Sequence, residues 1–150
     1  MTHLLMAAAL AAACSVSPID NPLPAIIGPM TGQQPAWLID GSSGHWESAE
    51  ARIKTLWVLS KQAAGRLLIQ GRRLDGDGIA QFQDGGVTGV PKDTLEIENP
   101  WRRAWPSNAT PEARRAYAWV PNYVIYPSPG CWQFTVRVGA DETRITIELK

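Results

Sequence analysis

The sequence predicts an all-β protein built as a β-sandwich, and three observations carry that prediction. The last stretch alternates with period two on both sides of a Gly-containing turn. Upstream of it, short β-branched and aromatic runs are separated by turn signals. Composition agrees, with 12 prolines and 13 glycines among 150 residues and an apolar content of 45%. Many short strands with Gly/Pro-rich turns are the signature of a sandwich or barrel.

The elements follow in order. From Ser15 to about Pro35 the chain is rich in Pro, Gly and Ser, with Ser-Pro18, Asn-Pro22, Leu-Pro24 and Gly-Pro29. It reads as an extended tether, within which Ala25-Ile-Ile27 is a candidate first strand. Trp37-Leu-Ile39 is a short strand closed by the turn Asp40–Gly44. Thr55–Ser60 is a buried strand, and Arg66–Leu74 is another, ended by Asp75-Gly-Asp-Gly78. Thr94–Glu98 alternates with period two, and Asn122–Tyr126 is again β-branched and aromatic. A helix is predicted only at Thr110–Tyr117, with Thr110 as N-cap, Pro111 first and Glu112 in the first turn.

The terminal hairpin is the clearest element. Trp132, Phe134, Val136 and Val138 alternate with Gln133, Thr135 and Arg137. Beyond Gly139–Glu142, Ile145, Ile147 and Leu149 alternate with Arg144, Thr146 and Glu148. Both apolar stripes must share one face, or the hairpin would expose them.

The N-terminus supplies an address. Leu4–Ala13 has the length of a signal-peptide apolar region and is too short to span a bilayer, which needs roughly 20 residues. Leu10-Ala-Ala-Ala-Cys14 resembles the lipobox of bacterial lipoproteins. That resemblance implies that Cys14 becomes the first mature residue and carries lipid, anchoring the protein in the cell envelope, facing the periplasm or exterior. There are two departures from the pattern: Met1-Thr-His3 has no Lys or Arg, and Ala11 occupies the place where Leu is preferred. They leave a plain secretory signal ending at Ala13 open. The expected organisation is signal 1–13, lipid-anchored tether 14–35 and sandwich 36–150. Lipidation would also leave Cys131 without a partner, so no intrachain disulfide is expected and Cys131 is read as buried and inert.

Tyr126-Pro-Ser-Pro-Gly-Cys-Trp-Gln-Phe-Thr-Val-Arg-Val138 resembles a segment of uncharacterised exported bacterial proteins. There a P-x-P-G-C-W/Y step enters the penultimate strand of an immunoglobulin-like sandwich. Leu68-Ile-Gln-Gly-Arg-Arg-Leu-Asp-Gly76 is similar to a strand and turn of the same proteins. The resemblance implies an immunoglobulin-like sandwich and an exported setting, and no activity or site residue comes with it.

Charge excludes one class of partner. The 14 basic and 14 acidic residues balance and all lie beyond Cys14. A general nucleic-acid binder would show a basic excess. Catalytic candidates are few. His45 is the one histidine beyond the signal, which rules out a multi-His metal site, and it reads as a turn residue. Glu96 and Glu98 share a strand face roughly 7 Å apart, a spacing that suits a glycosidase pair, yet the pattern reads as a solvated face opposite Leu95 and Ile97. Asp75 and Asp77 read as a turn, not a Ca²⁺ loop. The chain is therefore read as a non-catalytic protein-binding or structural module with no cofactor, and a small envelope enzyme is the least favoured alternative.

Seven tryptophans are many for this size. Trp57 and Trp132 fall on strands and read as core. Trp101, Trp105 and Trp119 do not fit a strand pattern. They lie in the long connection Asn99–Pro121 with Arg102, Arg103, Arg114, Arg115 and Tyr117. Tryptophan beside arginine is the mixture found at binding hot spots and allows cation–π stacking. These seven Trp and Arg residues form the candidate site, for an envelope protein or, alternatively, a cell-wall or extracellular glycan. The competing reading is that the rings cap one end of the sandwich and the arginine stems lie over them.

Overall fold

The structure is a computed structural model that describes residues 13–23, 29–84 and 89–150. The apolar signal-like run, apart from Ala13, and the candidate strand Ala25–Ile27 lie outside the described residues. Among the described residues, nine strands form two antiparallel sheets: β1 (Thr31–Gln33), β2 (Ala36–Asp40), β3 (Ile53–Ser60), β4 (Leu67–Arg73), β5 (Gln81–Gln83), β6 (Leu95–Ile97), β7 (Tyr117–Ile125), β8 (Gly130–Val138) and β9 (Asp141–Leu149). One sheet has the order β1-β2-β3-β7-β5 and the other β6-β4-β8-β9. The all-β sandwich expected from sequence is the observed architecture.

The terminal hairpin forms in the predicted register. Phe134 stands opposite Ile145 and Trp132 opposite Ile147. Both stripes are buried against the other sheet. The predicted helix is α1 (Pro111–Ala116). The Thr110 hydroxyl accepts the Ala113 N–H at 3.2 Å, Pro111 opens the helix, and Glu112 lies in its first turn.

Between the sheets sits an aromatic cluster. Trp57 and Phe134 meet edge-on with centroids 5.1 Å apart, and Tyr126 and Phe82 close around Phe134. Edge-to-face contact suits the ring quadrupoles. The buried indoles are satisfied: Trp57 Nε1 donates to Asn122 Oδ1 at 3.0 Å and Trp132 Nε1 to Ser128 O at 3.1 Å.

The two segments that carry the family resemblance meet. β4 pairs with β8 so that Gly71 faces Phe134 and Arg73 faces Trp132. Arg73 Nε donates to Asp75 Oδ1 at 2.8 Å, and the Cys131 N–H donates to the same oxygen at 3.0 Å. These two donors hold the Asp75 carboxyl below its ordinary range, the Cys131 amide contributing most. Gly130 adopts φ +138°, and a Cβ there would sit 2.5 Å from Arg73 Nε. The glycine before Cys131 is thus required by both backbone and space.

Two expectations are corrected. Cys131 is buried as expected, at 4% exposure, but it is not unpaired. It forms a disulfide with Cys14, with the two Cα atoms 5.5 Å apart. The partner lies 117 residues away, and nothing local in the sequence announces it. The described part of the expected tether 14–35 is also folded onto the sandwich. Ser17 N–H donates to Thr146 O at 2.9 Å, and Gly32 N–H to Pro18 O at 3.2 Å. Leu23 and Met30 are buried, and Thr31–Gln33 is strand β1. Prolines here shape an edge segment whose backbone groups find partners one at a time, which composition cannot distinguish from a tether.

Candidate functional site

The connection Asn99–Ala116 crosses the outer face of the five-stranded sheet. That face is apolar because alternation along three strands sends Trp37 and Ile39, Leu56 and Val58, and Tyr117 and Trp119 outward. Their neighbours Leu38, Trp57 and Val120 point into the main core. The connection covers this face with Ala113 and Trp105, joined by Leu23 and Met30 from the N-terminal segment. The result is a second, smaller core outside the sandwich.

The seven candidate residues are only partly brought together. Trp105 and Trp119 pack against each other, centroids 5.3 Å apart and planes inclined by 40°. Both are half-buried in the outer core. Trp101 follows Pro100 in a 3-10 turn and packs against the main core instead. Trp119 corrects the sequence reading, because it lies in the middle of β7 and not in a loop. Its strand was hard to recognise since Tyr117–Pro121 is apolar on both faces, and a strand buried on both faces loses its alternation.

Arg103 and Arg114 organise the connection itself. Arg103 makes a two-pronged ion pair with Asp84, at 2.9 and 2.7 Å. That carboxylate raises the Arg103 pKa further. Arg114 donates to the carbonyls of Pro106 and Ser107 at 3.1 and 3.3 Å, closing the loop that leads into α1. Arg115 pairs at 3.5 Å with Glu112 on the exposed side of the helix, and Arg102 is exposed.

A groove opens beside Trp119. It has a volume of about 580 Å³, with a floor of Ile39, Leu56, Trp119 and Pro121, a wall at Pro106 and Lys54 at its edge. Apart from Trp119, none of these residues stands out in the sequence. Ile39 and Leu56 read there as ordinary strand residues, and only the sheet shows that they face outward.

Glu96 and Glu98 both pair with Arg66, at 2.6 and 3.4 Å, on an exposed strand face. His45 is exposed and its N–H closes a turn onto Ser42 O at 3.1 Å. Asp75 belongs to the Arg73–Cys131 corner. Among the described residues, no group of three or more His, Cys, Asp or Glu side chains is placed to hold a metal ion.

No protein-family model matches the chain, and no curated protein matches it. A solved structure, described as "a Putative Lipoprotein from Bacillus anthracis", is similar with a TM-score of 0.54 at 16% identity, over 90% of this chain and 86% of that one. At that identity the likeness shows a shared fold.

Proposed function

We propose that this protein is an exported, non-catalytic module of the cell envelope, with an immunoglobulin-like sandwich that binds another envelope protein through the groove beside Trp119. The observation that carries this reading is the groove itself: an apolar floor of Ile39, Leu56, Trp119 and Pro121 on the outer sheet face, with a cationic rim at Lys54. Aromatic anchors in a water-excluding depression are the usual energetic centre of a protein interface. The signal-like N-terminus supports the envelope setting. So does a fold shared with a protein described as "a Putative Lipoprotein". The disulfide fits an oxidising compartment outside the cytoplasm. The non-catalytic reading is supported by Glu96 and Glu98 sharing one arginine and by His45 standing exposed at a turn.

A glycan is the second reading. It would call for exposed, coplanar indoles, whereas Trp105 and Trp119 are inclined to each other and half-buried. The test is photo-crosslinking in native cells from a probe residue replacing the exposed Lys54. A discrete envelope-protein adduct is expected in wild type and in Trp101→Ala, and it should disappear in Trp119→Ala. An adduct pattern indifferent to Trp119→Ala would overturn the groove. Retention of the protein on purified cell wall, lost in Trp119→Ala, would favour the glycan.

A further inference from the structure

We infer that the sulfur of Cys14 is committed to the disulfide with Cys131, so that the mature chain has a clamped and non-acylated N-terminus. A lipid thioether on Cys14 needs the same sulfur atom, and one molecule holds one bond or the other. Three sets of observations favour the disulfide.

The first is the partner. Cys131 is buried where β8 begins, its amide fixed by Asp75 and its carbonyl accepting the Leu74 N–H at 2.7 Å. This position is preset by the β4–β8 corner, and the two Cα atoms stand 5.5 Å apart, within the range a disulfide spans.

The second is the segment behind Cys14. Ser17 exchanges two bonds with Thr146: its N–H donates to Thr146 O at 2.9 Å, and its Oγ accepts the Thr146 N–H at 2.8 Å. Ile19 pairs with Thr31. The Asp20 N–H donates to Met30 O at 2.9 Å, and its carboxylate accepts Trp37 Nε1–H at 3.1 Å. Asn21 Oδ1 accepts the Met30 N–H at 2.9 Å. A lipid-anchored domain uses the residues after its cysteine as a spacer from the bilayer. Here those residues are the edge of the sandwich.

The third is the lipobox itself, with Ala11 in the preferred Leu position.

Chemically, both thiols lose their protons and the pair gives up two electrons to a disulfide-bearing oxidant of the extracytoplasmic space. One thiolate attacks the oxidant's disulfide, and the second cysteine displaces the resulting mixed disulfide. The oxidant leaves as its dithiol.

The test is mass spectrometry of the full chain expressed in a bacterial host with both secretory and lipoprotein-processing machinery. Free thiols are alkylated first, and trypsin digestion follows without reduction. The expected result is residues 14–52 joined to residues 116–137 through one disulfide. Reduction should separate them, with no lipid on either. In Cys131→Ala, Cys14 should become alkylatable without reduction. An N-terminal peptide carrying lipid on Cys14, with Cys131 alkylated before reduction, would overturn the inference. So would a wild-type protein in which both thiols alkylate freely. Neither outcome bears on the groove, which is read from Lys54 crosslinks.

Discussion

Gly71→Ala is the sharpest probe of how the two resemblance segments are locked together. Gly71 lies in β4 opposite Phe134 of β8. A Cβ at position 71 would stand 2.7 and 2.9 Å from two Phe134 ring carbons and 3.0 Å from the Ala80 Cβ. The ring has nowhere to go: it is fully buried, with Trp57, Phe82 and Tyr126 around it. Overpacking of this kind costs about 1–3 kcal/mol. Loss of glycine's freedom in the unfolded chain returns about 0.4–1 kcal/mol. The net expectation is a destabilisation of about 1–2 kcal/mol, or roughly 4–8 °C in Tm for a domain of this size. The assay is urea unfolding of the oxidised protein followed by tryptophan fluorescence. Phe134→Leu, which removes ring volume at the clash, should itself cost about 1 kcal/mol or more. The double variant should then be no less stable than Phe134→Leu, a coupling of about 1 kcal/mol. A Gly71→Ala protein within 0.5 kcal/mol of wild type, or two strictly additive changes, would refute the packing argument.

Three further outcomes are expected. The Tyr126 hydroxyl is buried with no hydrogen-bond partner among the described residues. Tyr126→Phe should therefore be neutral or stabilising by up to about 1 kcal/mol. Burial also pushes the Tyr126 pKa well above 10.0. Its contribution is thus complete below pH 10 and is lost as pH rises toward the folded value, so Tyr126→Phe should flatten the alkaline limb of a stability–pH curve. Asp75 has the opposite sign. Its folded pKa lies below 3.8, so its contribution is present above that pH and lost as acidification passes through the folded value. Urea unfolding at stepped acid pH should show Asp75→Asn losing less stability than wild type across this window. Finally, the Cys14–Cys131 bond closes a sequence separation of 117 residues. Loop-closure entropy assigns such a bond about 4–5 kcal/mol. Reduction should lower the urea midpoint accordingly, and an unchanged midpoint would mean that the N-terminal segment is held without it.

How much was legible depends on the range of the interaction that decides each feature. The hairpin β8–β9 was readable because alternation and turn are local, and a one-residue slip would expose both stripes. The helix α1 was readable because Thr110, Pro111 and Glu112 act within one turn. Strands β1 and β5 were not: Thr31–Gln33 and Gln81–Gln83 are as short as β6 but lack its pair of apolar residues on one face, so nothing distinguishes them from a loop. The candidate site was half legible. Trp105 and Trp119 do meet, but Trp101 packs against the main core, and Arg103 and Arg114 fasten the connection through Asp84 and the carbonyls of Pro106 and Ser107.

The amino-acid sequence by itself determined the all-β class, the terminal hairpin, the capped helix and the burial of Trp57 and Trp132. Each rests on periodicity or capping within a few residues. Only the tertiary structure decided that the described part of the Pro-rich segment is sandwich and not tether, that the outer sheet face carries a groove beside Trp119, and that Cys14 meets Cys131. These depend on which distant segments share a face or an edge. No local pattern encodes such a meeting; the packing of the two sheets makes it.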